Sequence, residues 1–545
     1  MSVRYHYNLI YNDLNTLVKI FSWNSLQTRL AIKTAIACTL AVAVTDALEL
    51  GFPFWAGISA LVMMRADVGA SFAKGWMRSL GCTIGCILTL FFLGFCIQNP
   101  ILFSLFIIAG IFIGFYLGFQ AKYGYFWLYM LANMVLMGMV ALSDPYGTFP
   151  LHIVYYRAAD IFIGVMASWF INIILWPHYA GDELVVSSKQ LLSKTAILVK
   201  ECLLQYTENK YNEIKFNTLY NDVLVLLKKN NGLVGSAKLE KKIFKNHRVE
   251  FETMFQILDY KIKNLRIIYK QILAQKKSDY SKNYLDLLYL IISNFNDLSN
   301  KKFYDDNRKI KRLLVSIQLN FNKIKISYNK NSAYSKSFSV EEIMIFHEMI
   351  YFLESFYNDF TYVLRNSFKY KNEAPGYKKI DSDKADYFML KFLSYELPIY
   401  IPVAIHATKA TLGVLFTFWF CLWLQIPGGL LNMSVAIIAV FASQTDIITS
   451  NHKGILRLLG CLIGGAVGLF ILQFGIESSF AIFSIILGVT FFTSYLFTAR
   501  PGIAYIGLQA GIAFLMCVAG SFTVVTSFQP VIERLLGVIL AILCM

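Results

Sequence analysis

Charge is scarce in this chain of 545 residues: 15% are Asp, Glu, Lys or Arg, while 57% are apolar. A soluble domain carries roughly a quarter charged residues and under half apolar ones. Motifs that carry chemistry are scarcer still. No GxxxxGK(S/T) run exists, which excludes a P-loop nucleotide site. The nine cysteines (Cys38, Cys82, Cys86, Cys96, Cys202, Cys421, Cys461, Cys517 and Cys544) form no CxxC or zinc spacing, and the seven histidines form no HExxH. No metal and no cofactor are therefore expected. No Ser-His-Asp or Cys-His arrangement can be argued, so enzyme activity is not expected either. The N-terminus holds Arg4 and Lys19 without a small-residue cleavage site, unlike a secretory signal.

What is present is a series of apolar runs near the length that crosses about 30 Å of hydrocarbon. Six fall early, near 30–48, 53–66, 76–97, 101–119, 124–142 and 155–176, the last closed by Trp176-Pro177. Six fall late, near 403–424, 428–443, 454–475, 479–498, 502–521 and 529–545. The final run reaches its minimum length only at Met545, as a sequence cut short there would. Before the first run, Leu9, Ile10, Leu14, Leu17, Val18 and Phe21 share one helical face and predict an interfacial helix.

The formal net charge of +16 raises nucleic acid as a partner, but no zinc-finger spacing or RNP-like motif supports it. Of the 50 Lys and Arg, 36 lie within residues 181–395, between the two apolar blocks. Basic segments beside membrane helices stay in the cytosol. With the N-terminus inside, Arg65, Lys74, Lys122, Lys453 and Arg500 fall in inner loops, and the outer loops contain no Lys or Arg. Both termini and residues 178–395 are thus expected to be cytosolic. The intervening segment reads as helical: Phe251, Phe255, Leu258, Ile262, Leu265, Tyr269 and Ile272 share a face. Ser339 and Glu342 form a capping box that opens a helix to about residue 370, while Asn230 to Gly232 with Gly235 mark a loop and Ala374 to Gly376 a linker. The basic run from Lys301 to Arg312 suits a solvated helix face near anionic lipid, or an anionic ligand.

The two blocks match each other. Ala31-Ile-Lys33 resembles Ala407-Thr-Lys409. Arg78-Ser-Leu-Gly81-Cys82-Thr-Ile-Gly85 resembles Arg457-Leu-Leu-Gly460-Cys461-Leu-Ile-Gly464. Tyr116-Leu117 resembles Tyr495-Leu496, and Arg157 pairs with Arg534. The expected fold is an all-α integral membrane protein made of two parallel six-helix repeats with a helical cytosolic domain between them. Its parts are 1–28 interfacial, 29–177 first membrane block, 178–395 cytosolic domain and 396–545 second block. An even number of spans in each half makes the repeats parallel. The glycines four apart allow close helix approach. The second run of each half is short and glycine-punctuated, which suits either a transport site or a short capped helix.

Ionisable residues inside the spans are few, and a charge at mid-bilayer costs a few kcal/mol or more, by roughly the insertion scales. Lys33 and Lys409 either snorkel to the inner surface or form a paired cationic site for an organic anion, with His406 one turn from Lys409. Arg78 and Arg457 complete the candidate anion-binding set. Asp46, Arg157 and Asp160 lie toward the outer side. Arg157 and Asp160 either form an ion pair along one helix face, or Asp46 or Asp160 carries a coupled proton. The second half has Leu422 and Gly537 at the positions of the two acids, so any relay is asymmetric.

The six-span block, the ArgxxGlyCysxxGly pair, the Arg157 helix ending at Trp176-Pro177, the helical insert and the second block resemble the fusaric acid resistance family, also called the aromatic acid exporter family. The resemblance covers nearly the whole chain. It implies a bacterial inner-membrane protein that exports aromatic or other weak organic acids on the proton gradient, some members working with a periplasmic adaptor. Plant malate channels are distant relatives with one membrane block. The expected function is secondary efflux of small organic anions across the lipid bilayer. A passive organic-anion channel and a membrane scaffold that binds partners or lipids are the alternatives, and a homo-oligomer stays open. The 45 Phe and 32 Tyr could line an aromatic-accepting path, though most suit lipid contact and packing.

Overall fold

The computed structural model describes most of residues 25–423 and 447–519, with its longest interruptions at 276–284, 299–311, 327–339 and 368–386. Its contacts divide into two units, residues 1–177 with 380–545, and residues 178–379. The first unit opens with six helices: α1 (Leu26–Ala47), α2 (Phe54–Met63), α3 (Val68–Cys96), α4 (Pro100–Gln120), α5 (Gly124–Ser143) and α6 (Phe149–Ile174). Their starts are set by side chains that satisfy the free N–H groups of a first turn. Ser25 Oγ accepts the Thr28 N–H at 3.1 Å, Asp67 Oδ1 accepts that of Ala70 at 2.6 Å, and Asn99 Oδ1 accepts those of Ile101 and Leu102 at 3.0 and 3.3 Å. Pro100 then opens α4, where no N–H is needed.

Residues 178–379 form helices α7 (Ala180–Glu208), α8 (Glu213–Glu240), α9 (Lys242–Gln275), α10 (Leu285–Leu298) and α11 (Val340–Ser367). The first unit resumes with strands β1 (Tyr387–Phe392) and β2 (Tyr395–Tyr400). Helices α12 (Ile401–Trp423), α13 (Ile447–Leu472), α14 (Ser479–Phe497) and α15 (Pro501–Val518) follow.

The protein is a helical membrane protein. Among the described residues, six helices are long and apolar enough to cross a membrane: Leu26–Ala47, Val68–Phe92, Ile101–Gln120, Leu151–Ile174, His452–Leu472 and Ser479–Phe497. Four shorter apolar stretches, Phe54–Met63, Gly124–Gly138, Ile401–Thr417 and Ile503–Val518, fall where four more spans are expected. The expected spans at 428–443 and 529–545, the interfacial helix at 9–21, most of the basic run from 301 and the linker at 374–376 lie outside the described residues.

Three helices begin earlier than hydropathy suggests. α3 starts at Val68 rather than 76, α6 at Phe149 rather than 155, and α13 at Ile447 rather than 454. The Asp67 cap fixes the first of these, so Lys74 belongs to the helix instead of an inner loop and Arg78 lies three turns within it. Arg157 sits two turns into α6 instead of opening it. The one departure from helix among the described residues is the antiparallel ribbon β1–β2, with Met389 opposite Pro398 and Lys391 opposite Glu396. Its two runs are rich in aromatic and branched residues, which favour strands. A two-stranded ribbon also has only edges, where proline is tolerated.

Small residues set the packing of the first unit. A methyl group added at Gly81 would lie 2.9 Å from the Phe126 carbonyl oxygen, 3.3 Å from the Met130 nitrogen and 3.5 Å from Tyr129 Cβ. At Gly460 it would lie 2.7 Å from the Ile506 carbonyl oxygen, 3.1 Å from the Ala510 nitrogen and 2.6 Å from Gln509 Cβ. One turn on, Gly85 faces the Met130 carbonyl at 2.5 Å and Gly464 faces that of Ala510. α3 against α5 and α13 against α15 are thus held together in the same way. Helices α1, α2 and α6 pack on one another, and α14 and α15 join them. The Phe54 N–H donates to the Ala519 carbonyl at 3.2 Å, and Gln27 Nε2 to that of Thr498 at 3.0 Å. α12 lays Ala407, Ala410 and Val414 against Phe103, Ile107, Ile111 and Phe115 of α4. Phe91, Phe95, Ile101, Phe480 and Phe492 are exposed, as lipid-facing positions are.

Residues 178–379 hold their own core. The predicted face of α9, from Phe251 to Ile272, is its buried face. Phe216 stacks on Tyr269 with ring centroids 3.7 Å apart, and the Tyr269 hydroxyl donates to Gln205 Oε1 at 2.7 Å. Lys261 pairs with Asp359 at 2.9 Å. The loop expected at Asn230 to Gly235 is helix instead, because α8 runs on to Glu240. Gly232 and Gly235 face open space, and the neighbouring Leu233, Val234 and Ala237 are buried in the core. That burial outweighs the roughly 1 kcal/mol that each helical glycine costs. α11 runs from Val340 to Ser367, over the helix expected there, while Ser339 of the capping box lies outside the described residues.

Candidate functional site

Polar side chains recur at helical spacing on four neighbouring apolar helices. α2 carries Trp55 and Ser59, α3 carries Arg78 and Cys82, α5 carries Tyr125, Tyr129 and Asn133, and α6 carries Arg157, Asp160, Ser168 and Asn172. Residues three or four apart on a helix share a face. A methyl at Gly164 would collide with the Ala56 carbonyl oxygen, so glycine there lets α6 touch α2 and sets Arg157 beside Trp55.

Two guanidinium groups form the centre, each on a residue 7% exposed. Arg78 Nε donates to Ser59 Oγ at 3.2 Å, and its Nη1 donates to the Tyr125 hydroxyl at 3.0 Å. The guanidinium carbon lies 4.2 Å from the Tyr129 ring centroid. Arg157 Nε donates to Asn133 Oδ1 at 2.5 Å, with its guanidinium carbon 4.6 Å from the Trp55 ring centroid. Asn133 is oriented in turn: its Nδ2 donates to the Tyr129 carbonyl at 2.6 Å, and its Oδ1 also accepts Cys82 Sγ at 3.5 Å. Tyr129 and Asn133 therefore join both arginines in one cluster.

Among the described residues, neither arginine has an ion pair. Guanidinium has five N–H donors. Among the described residues, three remain on Arg78 after the bonds above, and Arg157 keeps donors beyond its bond to Asn133. Burying unpaired charge costs several kcal/mol, by roughly the usual penalty per ion, unless something compensates it. The arrangement can therefore take an anion, with aromatic faces beside both cations.

Asp160 is fully buried, and among the described residues neither of its carboxylate oxygens has a hydrogen-bond partner. The ion pair with Arg157 that one-helix-face spacing predicts is not formed, because Arg157 Nε turns to Asn133 on α5. Lys33 is also buried, but its ammonium is engaged. It donates to Asn172 Oδ1 and to the Trp176 carbonyl, both at 2.9 Å, which places a cation at the C-terminal end of α6. Asn172 Nδ2 donates to Ser71 Oγ at 3.0 Å and so ties α6 to the start of α3.

Lys409 is exposed, so the two lysines do not share an environment. His406 is half-buried, edge-on to Phe119 with ring centroids 4.6 Å apart. Asp46 is half-buried at the end of α1. Arg457 is buried on α13, at the position that Arg78 holds on α3. Among the described residues, no group of three His, Cys, Asp or Glu is placed to hold a metal ion.

Sequence reasoning passed over Ser59, Tyr125, Tyr129, Asn133 and Asn172. The available signal was the four-residue spacing of Tyr125, Tyr129 and Asn133 within an apolar helix.

Comparison with known proteins adds three matches. Residues 27–236 match the fusaric acid resistance protein family, and residues 413–545 match a fusaric acid resistance protein-like family. Over 203 residues the chain is 26% identical to aluminum-activated malate transporter 13 of Arabidopsis thaliana. That stretch is 34% of this chain and 36% of the relative, so the match spans about a third of the relative's length.

Proposed function

The chain belongs to the fusaric acid resistance family, and on that premise we propose that it is a secondary transporter exporting aromatic or other weak organic acids across a bacterial inner membrane. The observation that carries this reading is the buried pair Arg78 and Arg157, held by neutral partners and lined by Tyr125, Tyr129 and Trp55. A carboxylate would take the free guanidinium donors, which favour two-pronged recognition of planar oxyanions. The acid's ring would lie against the aromatic side chains. A transporter is also what the name of the malate-transporting relative describes. No catalytic role is assigned to any residue.

Two parallel six-helix halves build the membrane portion, an arrangement supported by the like contacts of Gly81 and Gly460. Residues 178–379 and both termini are cytosolic, in accord with the basic inner loops. The proton-motive force drives efflux. Its inside-negative potential acts on the anion's charge with about 2.3 kcal/mol per 100 mV. Asp160, a buried carboxyl one turn from Arg157 with no hydrogen-bond partner among the described residues, is the proton-exchanging group. A periplasmic adaptor or a second copy of the chain completes the assembly in a cell envelope.

Inside-out vesicles containing the full chain test this. They are given labelled benzoate or phenylacetate, with the pH gradient and the potential imposed separately. Uptake is expected to require energisation. Asp160→Asn is expected to lose the response to the pH gradient and keep the response to potential. Flux that follows voltage and ignores the pH gradient in the unaltered protein would replace the carrier with a passive anion path.

A further inference from the structure

Two thiols stand one turn apart beside the arginine cluster. Cys82 and Cys86 lie on α3, each following one of the glycines that meet α5. The two residues are 0% and 1% exposed, and their sulfurs are 3.9 Å apart. Cys82 Sγ also donates to Asn133 Oδ1 at 3.5 Å, the same oxygen that accepts Arg157 Nε. The pair belongs to one half of the chain. Cys461 follows Gly460 as Cys82 follows Gly81, but Gly465 stands where Cys86 stands.

A single buried cysteine behaves as a small apolar group. Two thiols in contact gain a further capacity, because together they can bond one soft atom. Geometry decides which chemistry the pair supports. A disulfide needs Cβ atoms about 3.5–4.5 Å apart, whereas residues four apart on a helix hold them at about 5–6 Å. Closing a disulfide would therefore distort α3 where Gly81 and Gly85 lie against the backbone of α5. An atom inserted between the sulfurs needs no such closure. With bonds of about 2.3 Å, the length of a zinc–thiolate bond, it reaches across a gap of up to about 4.6 Å. The observed 3.9 Å lies within that span, with a bent angle at the inserted atom. Zinc itself takes four ligands. Among the described residues no third His, Cys, Asp or Glu joins the pair, and the next residues along the face, Arg78 and Thr89, supply none. The pair suits an atom that needs two sulfurs and brings its own third bond.

We propose that Cys82 and Cys86 form a dithiol site for trivalent arsenicals that carry an aryl group. An aryl arsenic oxide and the two thiols give the bis-thiolate adduct and water. Both S–H bonds break, two As–S bonds form, and the two protons leave with the arsenic-bound oxygen. Arsenic keeps its carbon substituent and its oxidation state. The adduct is uncharged, which an apolar interior tolerates. Tyr129 and Trp55 supply ring faces for the aryl group in the same cluster. Occupation withdraws the Cys82 S–H from Asn133 and crowds the side of the cluster that holds Arg157. That effect on carboxylate binding rests on the reading of Arg78 and Arg157 as an anion site, whereas capture of the arsenical does not.

The test treats the full-length protein in lipid nanodiscs, kept reduced, with phenylarsine oxide and follows the adduct by intact mass. The unaltered protein is expected to keep a phenylarsenic group through washing with 2-mercaptoethanol and to release it to 2,3-dimercaptopropanol. A lone thiol cannot compete with two sulfurs held side by side, whereas a dithiol can. Cys82→Ser and Cys86→Ser are each expected to lose the monothiol-resistant group, and Cys461→Ser to keep it. Cys86→Ala serves if the serine variant fails to fold. Labelled benzoate is expected to bind the treated protein about tenfold more weakly or worse, the order of effect for losing one charge-assisted hydrogen bond. Cys86→Ser is expected to bind benzoate equally before and after treatment. Absence of a monothiol-resistant adduct in the unaltered protein, or its persistence in both serine variants, would overturn the dithiol site. Unchanged benzoate affinity in protein that carries the adduct would overturn the coupling to Arg157. An adduct that depends on Cys82 and Cys86, in a protein that binds no benzoate before treatment, would uphold the dithiol site and overturn the anion reading.

Discussion

Replacing Arg78 by lysine isolates what the guanidinium does from what its charge does. The positive charge is kept. The two-pronged bracing to Ser59 Oγ at 3.2 Å and the Tyr125 hydroxyl at 3.0 Å is lost, as is the planar stacking over Tyr129 at 4.2 Å. A lysine ammonium is a compact point charge and does not reproduce the fork. If the ligand carboxylate takes two of the three unused N–H groups, the change to lysine removes one charge-assisted hydrogen bond to it, worth about 1.5–3 kcal/mol. That corresponds to a fall in affinity of roughly 10-fold to roughly 150-fold. Arg78→Gln removes the charge as well. A charge 4 Å away contributes about 4 kcal/mol at an effective dielectric of about 20, so the loss should be larger by a further factor of ten or more. Binding of labelled benzoate to the full chain in nanodiscs measures both, with thermal unfolding followed alongside. A merely structural Arg78 predicts that the two variants lose thermal stability and keep their affinity. Equal affinity in the unaltered protein, the lysine variant and the glutamine variant would refute the anion site.

Other changes probe the scaffold. Gly464→Ala drives a methyl into the Ala510 carbonyl and should destabilise the α13–α15 pair by about 1–3 kcal/mol, while Gly488→Ala, which meets open space, should be neutral or slightly stabilising; detergent thermal-shift measurements on both check the contrast. Lys33→Met leaves Asn172 Oδ1 and the Trp176 carbonyl without their donor, so about 1–3 kcal/mol of stability should be lost, with benzoate affinity unchanged. A reduced affinity with intact stability would instead return Lys33 to the ligand site. In the 178–379 unit, burial opposes ionisation of Glu183, but hydrogen bonds and charge from Lys229 and His178 outweigh it and hold the carboxyl below its usual range. A carboxyl depressed in the folded state stabilises fully above its unfolded pKa, about 4.3, and loses that stabilisation as pH falls through the lower folded value. Hydrogen exchange of α7 and α8, corrected for intrinsic rates, should therefore rise below about pH 4 in the unaltered protein and show a smaller pH dependence in Glu183→Gln. An identical profile in both would remove the pair from the account.

Much of the helical layout was legible because apolar runs of membrane length state it directly. The glycine pairs were legible as packing positions because their spacing of four repeats in both blocks. Arg78 and Arg157 were legible as ionisable residues in apolar surroundings. Their partners were not, because those come from other helices. Nothing local to Arg157 says that Asn133 on α5 will take its Nε in preference to Asp160 one turn away. Hydropathy also misplaced the start of α3. It scores Lys74 and Arg78 as loop-like, whereas the Asp67 cap commits the backbone to helix from Val68. The Asn230 to Gly235 stretch failed in the opposite sense, since local turn propensity was overridden by burial of Leu233, Val234 and Ala237. Lys33 and Lys409 matched as letters, yet only Lys33 faces a helix terminus that gives its ammonium two carbonyl-type acceptors.

The difference between the halves bears on how one helix-pair scaffold accommodates different side chains. Gly81 and Gly460 fix the approach of their partner helices through backbone atoms, and backbone contacts do not depend on the side chains beside them. The faces flanking each glycine are therefore free to differ without altering the helix pair. In the first half that freedom holds Tyr125, Tyr129 and Asn133, which stack on or bond to two arginines. In the second it holds Tyr505, Gln509 and Ala513, so the second ring and the amide of Asn133 are absent there. Burying a guanidinium without a carboxylate lowers stability. Arg78 and Arg157 are buried and, among the described residues, have no ion pair, so a bound anion compensates them. An anion that arrives and leaves supplies that compensation only while it is bound, which is the property a transport site needs.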